Sequence, residues 1–199
     1  MSESHVFAET PTVDLEIAQA MVEELEEYII KDDLYRTLIV RTSTGEVRLQ
    51  MTGGDLLTRL HRLNHERERL TAGQQQQFDT VSQRAETIIY SLKSRFNNRL
   101  QREMKARLDT LRWFLDESVG ERGQARANYP YEIRNRQRVE EIVKRLGAGL
   151  STELTEQLTQ VDHRLRMLTT GSEFIWDPAL KDVFPQHPYW YLYAILGSG

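Results

Sequence analysis

Residues 75–118 read QQQFDTVSQRAETIIYSLKSRFNNRLQREMKARLDTLRWFLDES, a run without proline or glycine. Phe78, Val81, Ala85, Ile88, Leu92, Phe96, Leu100, Met104, Leu108, Leu111 and Leu115 recur three and four apart, the period of one face of an α-helix. Unbroken, such a helix spans ~65 Å at a rise of about 1.5 Å per residue. A single small core cannot cover a stripe of that length. The helix is therefore expected to bend, at Asn97-Asn98 where propensity is weakest, or to project and pair with a second subunit. The four-residue spacings from Leu92 to Leu108 drift off a heptad, which argues against a regular two-stranded coiled coil.

Upstream, residues 13–31 form an amphipathic pattern opened by Thr12 or by Thr10-Pro11. Val13, Ile17, Met21, Leu25 and Tyr28 fall on one face, and Glu16, Glu23, Glu26 and Glu27 on the other. From Thr37 to Met51 the period changes to two across Ser43-Thr44-Gly45, which predicts a β-hairpin. Two strands alone are barely stable, so the hairpin must pack on a helix or pair with another chain's edge. Leu56, Leu60, Leu63 and Leu70 then mark a second helix after Gly53-Gly54.

Downstream, residues 119–130 lose the periodicity and hold two glycines and a proline, reading as a mobile connection. Helices are expected over Tyr131–Leu146 and after Ser151, the latter with Leu154, Leu158, Val161, Leu165 and Leu168 as its stripe. The segment from Ser172 to Leu196 carries seven of the seventeen aromatic residues and three of the five prolines, which suits two short helical pieces folded back as a cap. The expected architecture is a mainly α helical bundle with one long, kinked or projecting central helix and a small N-terminal hairpin. Its divisions are a disordered tail over 1–12, a helical domain over 13–170 with the hairpin at about 37–51, an aromatic cap over 171–196, and a flexible end or tag remnant at 197–199.

Composition narrows the function. No cysteine is present, so disulfides, thiolate nucleophiles and Cys-ligated metals drop out. The N-terminus lacks the basic start and apolar run of a secretory signal, and no stretch is long and apolar enough to span a bilayer; a cytoplasmic location follows as the default. The net charge of −4 conceals acidic ends flanking a basic middle. Residues 56–150 hold nineteen of the 26 bases against twelve of the 30 acids, and most of the bases are arginine, the side chain suited to bidentate carboxylate or phosphate pairing.

Few residues carry a catalytic pattern. His61 and His65 stand four apart with Glu68 near the same face, but Arg62 stands where a zincin has glutamate, and a solvated polar face outweighs a metal site. No histidine has a glutamate three before it, as di-iron bundles require. Phosphate-cradling Gly-x-x-x-x-Gly-Lys and Gly-x-Ser-x-Gly elbows are absent, and Asp162-His163 lacks a nucleophile. Arg134, Arg136 and Arg138 alternate and so split between helix faces.

Two surfaces stand out instead. Arg84, Arg95, Arg99 and Arg102 flank the apolar stripe as a ridge, which can be a solvated face, a dock for the acidic face at Glu16, Glu23, Glu26 and Glu27, or a phosphate track. Trp176, Tyr189, Trp190 and Tyr193 form an aromatic cap or partner surface. The expected function is a non-enzymatic, cofactor-free interaction or scaffold protein that forms a homodimer through the long helix and the hairpin edge. Alternatives are a nucleic-acid-binding regulator using the arginine ridge, which the acidic overall balance weighs against, and a small-molecule sensor with a pocket between helices. No membrane partner is expected.

Overall fold

The computed structural model describes residues 7–8, 10–31, 33–120 and 122–197. These are mainly helical, with an N-terminal antiparallel hairpin, as the periodicities predict. The chain divides into two compact units whose boundary falls between Glu103 and Met104.

In the N-terminal unit, α1 (Pro11–Glu23) starts at Thr10, whose side chain accepts from the Val13 N–H, with Pro11 at the first helical position. The helix breaks at Glu24 and resumes as α2 (Leu25–Ile30). The hairpin pairs β1 (Arg36–Thr42) with β2 (Gly45–Met51) in a register running from Arg36 opposite Met51 to Thr42 opposite Gly45. Leu38 and Val40 are buried, and α1 packs on β1. Of the expected tail, Phe7 is buried, and the Ala8 N–H donates to Asp14. Residues 1–6 and 9 lie outside the described residues.

Helix α3 (Gly53–His65) is capped by Thr52, whose side chain accepts from the Asp55 N–H. It is followed by a 3-10 turn over Arg67–Arg69. Leu63 and Leu70 then join Leu15, Ala18 and Phe78 in one cluster. Helix α4 (Ala72–Ser91) opens on a capping box between Thr71 and Gln74.

The long helix bends, but not at Asn97-Asn98. It breaks at Leu92 (φ −115°, ψ 27°), and α5 (Lys93–Glu117) begins there. In α4 the buried row is Phe78, Val81, Ala85 and Ile89, with Ile88 and Leu92 only half-buried. In α5 it is Phe96, Leu100, Met104, Leu108, Leu111 and Leu115. Each four-residue step turns the stripe by about 40°, and a break at Leu92 resets its direction. Asn98 is exposed, so its weak propensity lies where solvent serves the backbone and costs little.

In the C-terminal unit, the stretch expected as a mobile connection is helical instead: α6 (Arg122–Glu132) carries Pro130 in its last turn. Ala125, Tyr129 and Ile133 are four apart and buried, a helical row short enough to be hidden by the glycines around it. After a bend at Ile133 the chain continues as α7 (Arg134–Leu146), ended at Gly147 with φ 49°. Helix α8 (Thr152–Leu168) is capped by Ser151. The tail holds two short helical pieces, 3-10 turns over Pro178–Leu180 and Trp190–Tyr193, and adds a second small sheet whose strands flank them. There β3 (Thr169–Gly171) pairs antiparallel with β4 (Ala194–Leu196). Those strands are three residues long, too short for a period-2 signal.

Gly53 is where α3 meets α5 within the N-terminal unit. A Cβ there would lie 2.6 Å from Leu100 Cδ2 and 3.3 Å from Phe96 Cε2, both on fully buried side chains. Gly53→Ala is therefore expected to lower stability by about 1–3 kcal/mol through overpacking, read as a lower urea midpoint with an unchanged slope.

Candidate functional site

The arginine ridge does not survive folding as a unit. Arg84, Arg95 and Arg102 are exposed, whereas Arg99 is buried, with its guanidinium 4.3 Å above the Tyr28 ring. Arg99 adjoins Phe96 and Leu100 on α5, and the winding stripe draws it under with them. Beside it, Glu103 accepts from Thr52 Oγ1 at 2.7 Å and from the Gly54 N–H at 2.9 Å, a carboxylate at the N-terminus of α3 where the helix dipole favours it. Tyr28 accepts from the Gly53 N–H at 3.2 Å and donates to the Leu34 carbonyl at 3.1 Å. Burial pushes its hydroxyl pKa well up, and the Glu103 carboxylate adds to the shift.

The acidic face answers the hairpin rather than the ridge. Glu16 Oε2 accepts from the N–H and hydroxyl of Ser43 in the hairpin turn. Arg36 of β1 pairs with Glu24 and Glu27, and Glu27 also meets Lys31. Glu23 accepts from Gln19 at 3.1 Å, and Glu26 is exposed. Asp14, in the first turn of α1, is fully buried between Arg59 and Arg62. Arg62 also pairs with Glu66, which Arg69 meets as well.

A second buried polar cluster lies in the C-terminal unit. Arg136 is buried and forms a fork on Asp162, Nε to Oδ1 at 2.7 Å and Nη2 to Oδ2 at 2.9 Å, while Nη1 reaches Glu140 at 2.9 Å. Burial alone would lower the Arg136 pKa; the Asp162 hydrogen bonds overcome this and hold it above its ordinary value. Its guanidinium also lies 4.7 Å from the centre of the Tyr191 ring. One residue on, Glu141 accepts from the Tyr189 hydroxyl at 2.6 Å and from Gln137 Nε2 at 3.2 Å, with Lys144 at 3.5 Å. Burial and the adjacent carboxylate push the Tyr189 hydroxyl pKa up. The reading that Arg134, Arg136 and Arg138 split between faces misses this because α7 buries polar residues on several sides, Asn135, Gln137 and Glu141 among them. The one available signal was spacing: Glu140 stands four after Arg136, the helical ion-pair interval.

Of the aromatic set, Trp176 and Tyr189 are buried, while Trp190 and Tyr193 are half-buried. Trp176 Nε1 donates to the Pro130 carbonyl at 2.8 Å, and the Tyr193 hydroxyl donates to the Phe184 carbonyl at 3.0 Å. Arg166 stacks on Trp190 at 3.8 Å. Their polar tips are thus turned to this chain's own backbone and charges.

The His61 and His65 rings lie 4.3 Å apart at a tilt of 51°, and the His65 Nδ1 lies 2.9 Å from the His61 carbonyl. Among the described residues no three metal-ligating side chains gather, and no helix is long and apolar enough to cross a membrane. One hollow of about 260 Å³ adjoins Val119, Met167, Thr169 and Leu196, and another of about 140 Å³ lies between α5 and α8 over Leu108 and Val161. Both fall below the roughly 300 Å³ at which sites for drug-sized ligands begin.

The chain matches no protein-family model, no curated protein and no solved structure.

Neutralising Asp162 takes the forked carboxylate from the buried Arg136 guanidinium and leaves it Glu140 alone. Asp162→Asn is expected to cost about 3 kcal/mol in urea unfolding, and Arg136→Met combined with Asp162→Leu to recover most of that loss.

Proposed function

We propose that this chain is a non-catalytic interaction protein that self-associates as a homodimer through its N-terminal hairpin. The long apolar stripe that first suggested self-association is for the most part buried within the chain, which favours an interface elsewhere. The observation that carries the reading is the hairpin's open side. β1 and β2 form a two-stranded sheet with no further strand beside it among the described residues. Leu38 and Val40 face the helices, while Ile39 is 63% exposed on the opposite face. An unpaired strand edge is a template for another strand, and nothing in the local chain blunts this one with proline or a bulge. The clusters with reactive groups are meanwhile engaged in structural pairs, as with Arg136, Asp162, Glu141 and Tyr189. Light scattering across a concentration series should show the mass rising from 23.3 kDa toward twice that value; a mass that stays at one chain throughout overturns the proposal.

A second reading has its own support. Arg84 and Arg95 are exposed, and Glu16 and Glu27 of the acidic face are turned to Ser43, Arg36 and Lys31. Such a face suits a polyanion such as duplex nucleic acid. It predicts binding at low salt with a steep salt slope, shallower by about two once Arg84 and Arg95 are both replaced by glutamine. A flat titration at about 50 mM salt would end this reading.

A further inference from the structure

We infer that the hairpin's partner is the same edge of a second copy, strand β2 pairing with β2 antiparallel about a two-fold axis at Val47. This inference rests on the self-association proposed above and specifies its contact.

The backbone pattern comes first. A two-residue turn closes on Thr42 and Gly45, so that pair exchanges hydrogen bonds across the hairpin, and alternation makes Val40–Val47 and Leu38–Leu49 the next such pairs. The N–H and C=O groups of Glu46, Arg48 and Gln50 therefore point away from β1, to the open edge. All three side chains are exposed on the sheet's outer face, while Val47 and Leu49 are half-buried on the inner face with Leu38 and Val40.

The register follows from charge. Two copies of β2 meeting antiparallel must keep outer residues opposite outer residues, since a one-residue slip turns every side chain to the wrong face. An axis through Glu46 sets carboxylate against carboxylate, and one through Arg48 sets guanidinium against guanidinium. An axis through Leu49 sets Arg48 against the neutral Gln50 of the second copy. Only the axis through Val47 sets Glu46 opposite Arg48 of the second copy and, by symmetry, Arg48 opposite Glu46 of the second copy. Opposite charges directly across a strand pair are stabilising and like charges are not. In this register Glu46 and Arg48 of the second copy also exchange backbone hydrogen bonds, on both sides of the axis. Val47 meets its own counterpart on the inner face, and Gly45, without a side chain, lies opposite Leu49 of the second copy. The β1 edge offers no such match, because Thr37, Ile39 and Arg41 are its outer residues and carry one sign only.

The absence of cysteine makes the test clean. Val47 and its counterpart form a pair that does not exchange hydrogen bonds, with about 4.5 Å between Cα atoms, within disulfide reach. In full-length protein, Val47→Cys is expected to give a disulfide-linked dimer under mild oxidation at least about tenfold faster than Thr37→Cys on the other edge. Glu46→Arg and Arg48→Glu, each placing like charges across the axis twice, should each weaken the dimer about tenfold by light scattering. The double variant Glu46→Arg/Arg48→Glu should restore it. Equal cross-linking rates, or single reversals that leave a wild-type dimer intact, overturn this contact while leaving self-association standing. A wild-type chain that is monomeric throughout removes both.

Discussion

A charge taken out of water must be met inside the protein, because an uncompensated one costs several kcal/mol. This chain accepts that constraint repeatedly. In Asp14 with Arg59 and Arg62, Glu66 with Arg62, and Arg136 with Asp162 and Glu140, at least one charge of each group is buried. Arginine dominates these contacts for a geometric reason: its planar fork can bind a carboxylate through two parallel hydrogen bonds, as on Asp162, which an ammonium cannot reproduce. The same constraint fixes where the elements meet. Glu103 can be buried because Thr52 and the Gly54 N–H converge on it, which in turn requires α3 to begin within reach of α5, and that approach requires Gly53.

How much of this was legible in sequence depends on the length of each pattern. The hairpin, the helical stripes and the caps at Thr10 and Ser151 are local, period-bearing features, and they fold as their spacing says. The break at Leu92 was misplaced because propensity points to the asparagines, whereas the change of direction is set by which side the core lies on. Helix α6 was lost because Gly123 and Pro130 outweigh a three-residue row in any local reading. The β3–β4 pair joins residues that are distant in sequence through strands of three, which no window detects.

The site residues show the same division. That Arg84, Arg95 and Arg102 would be exposed follows from their place outside the stripe; that Arg99 would stack on Tyr28 depends on an element some seventy residues upstream. The ionic cluster around Arg136 was discounted because Arg134, Arg136 and Arg138 alternate and so fall on different helix faces. Its burial becomes intelligible only when Asp162 and the aromatic segment at Tyr189–Tyr191 arrive from elsewhere in the chain to satisfy it.

Helix α5 crosses the boundary between the two compact units without a turn, a glycine or a proline. Its residues on one side supply Phe96 and Leu100, and on the other Leu108, Leu111 and Leu115. One uninterrupted helical run thus gives a buried row to each unit, and both rows are written in a single three-and-four spacing rather than in separate elements.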